Sequence, residues 1–223
     1  MEQIKENTVS ARGQLKESEF VSFLNVQGTG KRILFVGNSI TRHGVLTSIG
    51  WHNDWGMAAS SADKDYVHIV SAQVKKTFKD SAFCICQVAE WERQYKTGKE
   101  ILSKYKTARD FDADIIIMRC IENCPQDDFD HHAFREQYKI LIDYLNSSKN
   151  AEVILTSGFW KNVGDVDIER IAKESGYKYI YLGDLGEDDD MKAIGRFEHN
   201  GVAHHPGDKG MREIANRILL ELL

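Results

Sequence analysis

The chain has 223 residues, 42% of them hydrophobic and 28% charged, which is ordinary for a globular protein and suits one domain with a sizeable core. Its 29 Lys and Arg against 34 Asp and Glu give a formal net charge of -5 at pH 7. There is no basic excess for a phosphate backbone and no apolar run near the roughly 20 residues that cross a bilayer, so we expect neither a nucleic-acid nor a membrane partner.

The first residues, MEQIKENTVSARGQL, contain neither the apolar region nor the small-residue cleavage site of a secretory signal. Four cysteines, at positions 84, 86, 120 and 124, match no common zinc spacing. We interpret them as buried, reduced thiols. Together these features predict a cytoplasmic protein.

Residues 1–30 carry one weak helical pattern, formed by Leu15, Phe20, Phe23 and Leu24. This pattern predicts a helical arm that packs on a main domain of residues 31–223.

Five short apolar runs follow, and amphipathic stretches separate them. The runs are Ile33-Leu34-Phe35-Val36, Ala82-Phe83-Cys84-Ile85-Cys86, Ile115-Ile116-Ile117-Met118, Val153-Ile154-Leu155 and Tyr179-Ile180-Tyr181-Leu182. Runs this short and continuous are typical of strands buried on both faces.

The stretches between the runs have apolar residues at helical spacing, over 66–78, 134–145, 168–172 and 211–222. Gly176 is placed to end the third helix, and Asp208 is placed to cap the start of the last one. Alternating strands and helices predict an α/β protein, a three-layer α/β/α sandwich around a five-stranded parallel sheet.

Open parallel sheets bind ligands beyond the carboxyl ends of their strands, so the loop Gly37-Asn38-Ser39-Ile40-Thr41 is the first candidate site. Ser39 would be a nucleophile if a histidine reaches it, or a helix N-cap if none does. A nucleotide-binding P-loop is disfavoured, because Gly28-x-Gly30-Lys31 precedes the strand whereas a P-loop follows one.

A second candidate segment, Ala203-His204-His205-Pro206-Gly207, precedes the last helix. Proline biases its predecessor toward an extended backbone, and a loop histidine held in this way suits a general base. Adjacent side chains of an extended segment point in different directions, which disfavours joint metal chelation by His204 and His205.

The Gly-Asn-Ser-Ile-Thr block and the His-Pro before the last helix together resemble the SGNH hydrolases, the GDSL-type esterases and acylhydrolases, over about residues 31–223. The resemblance implies a flavodoxin-like fold with strand order 2-1-3-4-5. It also implies a serine nucleophile, a small-molecule ester as the partner, and no metal or organic cofactor.

By this resemblance Ser39 is the nucleophile and an oxyanion donor through its own N–H, and His205 is the base. Asn123 stands where the family has its side-chain oxyanion donor, although a turn role is the alternative. The family usually takes its remaining main-chain donor from a glycine after the second strand. Residues 87–93 stand there in this chain and contain no glycine, so the donor is Ala89 or Glu90.

The chain departs from the family at Val202, which occupies the place of the catalytic aspartate. Three outcomes are open. A main-chain carbonyl orients His205, an acid such as Glu198 or Asp184 folds in, or the activity is weak.

Aromatic residues near these loops predict a substrate-binding wall of Trp51, Trp55 and Trp160. Such a wall suits a small ester, with an O-acetylated carbohydrate as the candidate. Trp51 and Trp55 are alternatively core anchors of a long loop. Trp91 and Arg93 are either pocket or packing residues.

We consider three functions for these residues and favour the first two. The first is a serine esterase, and the second is a weak or inactive family member that binds a small ligand in the same cleft. A flavin-binding or receiver domain is disfavoured, since the loops after the first and third runs lack the acids that a receiver needs. The sequence leaves the oligomeric state open, including a homodimer.

Overall fold

The computed structural model describes residues 15–223, so the first 14 residues of the predicted arm lie outside the described range. Its centre is a six-stranded sheet in the order β1-β3-β2-β4-β5-β6. The strands are β1 (Val21–Leu24), β2 (Arg32–Gly37), β3 (Ala82–Gln87), β4 (Ile115–Arg119), β5 (Glu152–Thr156) and β6 (Lys178–Ile180). Strands β2 to β6 are parallel, overlap the five predicted runs and lie in the predicted order. The predicted count of five strands was one too few.

The sixth strand, β1, lies where the sequence predicts a helix. Val21 pairs with Cys86 and Leu24 with Phe83, antiparallel to β3, and no helix occurs between residues 15 and 30. The helical prediction was wrong because four apolar residues give a poor period, while the open edge of β3 supplies main-chain partners from far along the chain. The domain boundary at residue 30 stays a prediction.

Helices cover both faces of the sheet, which confirms the sandwich. They are α1 (Tyr66–Thr77), α2 (Ala89–Arg93), α3 (Lys106–Asp110), α4 (His131–Leu145), α5 (Asp165–Ser175), α6 (Asn200–Ala203) and α7 (Asp208–Leu222). The 3-10 helices are Thr47–Ile49, Ala62–Lys64, Tyr95–Tyr105, Leu185–Glu187 and Asp189–Met191.

Side chains of each strand alternate between two hydrophobic clusters. Ile33 and Phe35 pack with α1 and α7, whereas Leu34 and Val36 pack with α2 to α5. This alternation follows from the two-residue period of a strand and explains why the apolar runs are continuous.

The predicted end of the third helix is confirmed, because Gly176 caps α5 with a φ of 70° in the left-handed region. The predicted cap of α7 was wrong. Gly207 is its N-cap, and the Asp208 carboxylate instead accepts hydrogen bonds from the N–H and hydroxyl of Ser60, at 2.8 and 2.7 Å.

The four cysteines are buried and free, as predicted. Among residues 15–223, no helix has both the length and the apolar character that a membrane span requires.

Candidate active site

The carboxyl ends of the central strands bring three loops side by side. In the sheet register, Gly37 of β2 lies opposite Gln87 of β3 and Arg119 of β4. A Cβ on Gly37 would lie 1.9 Å from Oγ1 of Thr41 and 2.8 Å from the main-chain oxygen of Arg119. Glycine is therefore needed here for close approach, and its absence of a side chain lets the turn that carries Ser39 close tightly.

Ser39 and His205 meet at this edge of the sheet, although 166 positions separate them in the chain. Oγ of Ser39 lies 2.8 Å from Nε2 of His205, and Nδ1 of His205 lies 2.7 Å from the main-chain oxygen of Gly201. A carbonyl oxygen only accepts hydrogen bonds, so Nδ1 carries the hydrogen and Nε2 is free to accept the Ser39 proton.

In place of the missing aspartate, a main-chain carbonyl orients His205, which is one of the three outcomes left open by the sequence. Asp184 is held by both terminal nitrogens of Arg217, at 2.6 and 2.7 Å, and Glu198 is exposed to solvent. Among the described residues, no carboxylate is hydrogen-bonded to His205. Gly201 alone holds Nδ1.

Helix α6 explains this arrangement. Val202 is 1% exposed and packs with Trp51 and Met57, which fixes the helix and leaves the Gly201 carbonyl one turn before His205. The ring of Trp160 meets the imidazole of His205 edge-on, with 5.4 Å between centroids. Burial lowers the pKa of His205 to about 4, so the imidazole is neutral near pH 7.

A cavity of about 260 Å³ contains all four residues expected to act in catalysis. Ser39, Ala89, Asn123 and His205 line it. Glu90, the alternative to Ala89, lines a neighbouring cavity instead. The structure therefore brings Ser39, Ala89, Asn123 and His205 to one cavity, and their catalytic roles stay predictions.

The expected oxyanion donors differ in their availability. No acceptor in the described part of the chain binds the N–H of Ser39, whereas the N–H of Ala89 donates to Oε1 of Gln87 at 3.1 Å. Nδ2 of Asn123 donates one hydrogen to Oε2 of Glu92 at 2.5 Å and keeps a second hydrogen. Ser39 and Asn123 therefore offer the more available donors.

A buried polar network lies beneath the nucleophile. Nδ2 of Asn38 donates to Glu92 at 2.8 Å and to Glu122 at 2.6 Å. Arg119 donates to Oδ1 of Asn38 at 2.6 Å and to Glu122 at 2.5 Å. Because Asn123 also binds Glu92, the network ties the residue before Ser39 to the expected oxyanion donor.

The two carboxylates of this network titrate differently. Burial, and then the charge of Glu122, raises the pKa of Glu92 to about 7. Burial opposes ionisation of Glu122 as well, but Arg119 and the N–H of Phe159 outweigh it and lower the pKa of that group. Glu122 is therefore the ionised partner of Arg119, and Glu92 favours its protonated form more strongly than a free carboxyl group does.

Sequence reasoning missed Asn38, Glu92, Arg119 and Glu122 as members of the site. One signal was present, since Arg119 directly ends the most apolar run and a charged side chain there needs partners. Glu122 lies three residues further along the chain, but the local sequence does not indicate Asn38, from the turn after β2, or Glu92, from α2.

One residue of the predicted aromatic wall, Trp51, is buried instead. Trp51 has no exposed surface, and its Nε1 donates to the main-chain oxygen of His43 at 2.9 Å. The prediction that Trp51 contacts substrate was therefore wrong, and the alternative of a core anchor describes it. Trp55 packs on Trp51, with ring centroids 6.0 Å apart.

The substrate-binding roles of Trp55 and Trp160 stay predictions. Neither lines the cavity of Ser39, and the ring of Trp160 packs edge-on against that of His205. Ile49 and Met57, which lie close to Trp51 and Trp55 in the sequence, supply the apolar lining of the cavity instead. Of the two residues that were either pocket or packing residues, Trp91 has no exposed surface and packs in the core, whereas Arg93 lines the cavity.

No protein-family model and no curated protein matches this sequence. Among solved structures, a two-domain esterase (CEX) active on acetylated mannans, crystallised with mannopentaose, is similar to it with a TM-score of 0.55 and 22% identity, over 86% of this chain and 49% of the esterase. The psychrotrophic esterase EstA from Pseudoalteromonas sp., in a form inhibited by monoethylphosphonate, is similar with a TM-score of 0.55 and 11% identity, over 86% of this chain and 96% of EstA.

The chain spans about half the length of the two-domain esterase and nearly all of EstA. At these identities the likeness concerns the fold. In its six-stranded, mostly parallel α/β sandwich, the chain shares the fold of these two esterases.

Proposed function

We propose that the protein is a serine esterase that cleaves a small ester by acyl transfer through Ser39 and His205. The observation that carries the proposal is the 2.8 Å contact between Oγ of Ser39 and Nε2 of His205, with the other ring nitrogen on a carbonyl. A hydroxyl is a weak nucleophile until a positioned base takes its proton, and this contact provides that base.

In the first step, Oγ of Ser39 attacks the ester carbonyl while Nε2 of His205 takes the hydroxyl proton. Negative charge develops on the carbonyl oxygen. The N–H of Ser39 and the second hydrogen of the Asn123 amide stabilise that charge. His205 then gives its proton to the leaving alcohol as the C–O bond breaks, which leaves an acyl group on Ser39.

In the second step, a water molecule replaces the alcohol. His205 takes a proton from this water, the resulting hydroxide attacks the acyl carbonyl, and the same donors hold the oxyanion. The proton returns to Oγ of Ser39 as the carboxylic acid leaves. Every proton therefore passes through one imidazole, which burial keeps neutral near pH 7, so that Nε2 has a free lone pair for the proton.

The substrate proposed is a small ester, with an O-acetyl group on a carbohydrate as the candidate. The cavity volume of about 260 Å³ suits a short acyl chain. One solved structure with this fold is described as active on acetylated mannans, which is consistent with the candidate.

The test is hydrolysis of 4-nitrophenyl acetate by the wild type and by Ser39→Ala. The variant should lose about 10⁴-fold or more in kcat, since the nucleophile is removed. Ser103→Ala changes an exposed serine away from the cavity and should behave as the wild type. Equal rates in wild type and Ser39→Ala would favour the second candidate, an inactive protein that binds a ligand in this cleft.

A further inference from the structure

The wall of the 260 Å³ cavity has an unusual charge for this chain. It carries no acidic side chain, although Asp and Glu outnumber Lys and Arg by 34 to 29 in the sequence. Instead it contains Arg93 and the histidines His43, His199 and His205. The wall therefore offers a ligand one fixed positive charge and no negative one, which favours an anion.

Arg93 is the only permanent cation of this wall. Its side chain is exposed at the end of α2, and among residues 15–223 it has neither an ion-pair nor a hydrogen-bond partner. By contrast, the neighbouring Arg42 is held by both oxygens of Asp54, at 2.8 and 2.9 Å. A guanidinium left unpaired in a cleft is available to a ligand.

Arg93 also lies where two cavities adjoin. It lines the cavity of Ser39 and a second cavity of about 360 Å³, and His43 and Gln87 line both as well. A substrate whose ester reaches Ser39 and whose remaining part extends into the second cavity passes this point. The guanidinium is therefore placed to contact the part of the substrate next to the scissile ester.

The carboxylates of α2 and of the second cavity do not neutralise Arg93. Glu90 is bound by Lys104 at 2.5 Å, and Glu19, on the wall of the second cavity, forms no ion pair with Arg93. Glu92 is fully buried and its two oxygens accept from Asn38 and Asn123.

We propose that Arg93 makes the esterase selective for esters whose alcohol part carries a carboxylate, as an acetylated acidic sugar does. The inference rests on the proposed esterase function and adds the substrate class. The guanidinium fork binds a carboxylate through two parallel hydrogen bonds, so the interaction gives orientation as well as charge.

The test compares 4-acetoxybenzoate, which is anionic, with 4-acetoxybenzamide, which is neutral and of similar shape. The wild type should prefer the anionic ester, and Arg93→Gln should lower the ratio of the two kcat/KM values by about 10-fold or more. Arg93→Lys should retain part of the preference. Lys79→Gln removes an exposed charge just before β3, at the opposite edge of the sheet, and should leave the ratio unchanged.

Salt gives a second measurement. Raising the ionic strength from about 0.05 to 0.5 M should weaken the wild-type preference and leave that of Arg93→Gln nearly constant. A ratio that is equal in wild type and Arg93→Gln, with both esters hydrolysed, would overturn the selectivity while leaving the esterase proposal intact.

Binding separates the two proposals completely. Calorimetric titration with 4-hydroxybenzoate and 4-hydroxybenzamide needs no hydrolysis. If Arg93→Gln weakens only the anionic ligand by about 10-fold, the role of Arg93 in binding a carboxylate stands even if the wild type hydrolyses no ester. Equal affinities of the two proteins for the anionic ligand would overturn it.

Discussion

Nδ1 of His205 lies 2.7 Å from the main-chain oxygen of Gly201, four residues earlier in the chain. A neutral carbonyl thus fixes the tautomer that makes Nε2 an acceptor for the hydroxyl of Ser39. This arrangement supplies orientation without a third side chain. It stabilises the imidazolium less than a carboxylate would, because the carbonyl carries no net charge.

A carboxylate introduced by Val202→Asp should therefore not improve the enzyme. The Val202 side chain is 1% exposed among Trp51, Met57 and Ala193, so an aspartate there would be a buried charge. We expect a loss of about 2 kcal/mol or more in the free energy of unfolding and no gain in kcat. Val202→Thr, of similar shape, is the control and should lose less. A variant with higher kcat and an unchanged melting temperature would show that the site needs an acid.

The pH dependence of kcat/KM should be set by the low pKa of His205. Burial lowers this pKa to about 4, and only the neutral ring accepts the Ser39 proton. Activity should therefore be lost as pH falls through about 4 and should not change through the ordinary histidine range near 6.5. Initial rates at low substrate concentration across this range give the profile. A midpoint at 6.5 or above would contradict the burial of the ring.

Asn123→Ala separates the oxyanion role of Asn123 from its alternative role in a turn. If the Asn123 amide stabilises the oxyanion, kcat should fall by about 10²–10³-fold with little change in KM. Asn216→Ala removes an exposed amide on α7 and serves as the control. A lower melting temperature with unchanged kcat would leave Asn123 only its turn role.

Glu92→Gln should change how stability depends on pH. Burial raises the pKa of Glu92 to about 7, so its protonated form is favoured in the native state. Stability from this group is present below the unfolded pKa of about 4.5 and is lost as pH rises through 7.

Denaturant unfolding of both proteins at about pH 5 and pH 8 tests this expectation. The wild type should lose more stability over that interval than Glu92→Gln. Taking the difference cancels the opposite contribution of His205. Parallel pH dependences would mean that Glu92 ionises in the native state as it does when unfolded.

The parts of the fold that follow from local pattern were predictable. The apolar runs of β2 to β6 and the stripes of α1, α4, α5 and α7 each bury a face, so their residue types carry the information. Ser39 and His205 were predictable together, since both lie in loops at the carboxyl edge of a parallel sheet.

The remaining features depend on contacts that the local sequence does not encode. The Gly201 carbonyl is a main-chain group, which any residue could provide. Strand β1 depends on the open edge of β3, and Trp51 is buried by the fold of its own loop against Val202. The network of Asn38, Glu92 and Arg119 likewise forms only when three strand ends adjoin.

The central claim is that Ser39 is a nucleophile activated by His205. Reaction with an alkyl fluorophosphonate, followed by peptide mass spectrometry, tests it most directly, because only an activated hydroxyl should react quickly. The account predicts one phosphonyl group, located on Ser39, with much slower labelling in His205→Ala and none at that position in Ser39→Ala. Labelling of another serine, at the same rate in wild type and Ser39→Ala, would contradict it.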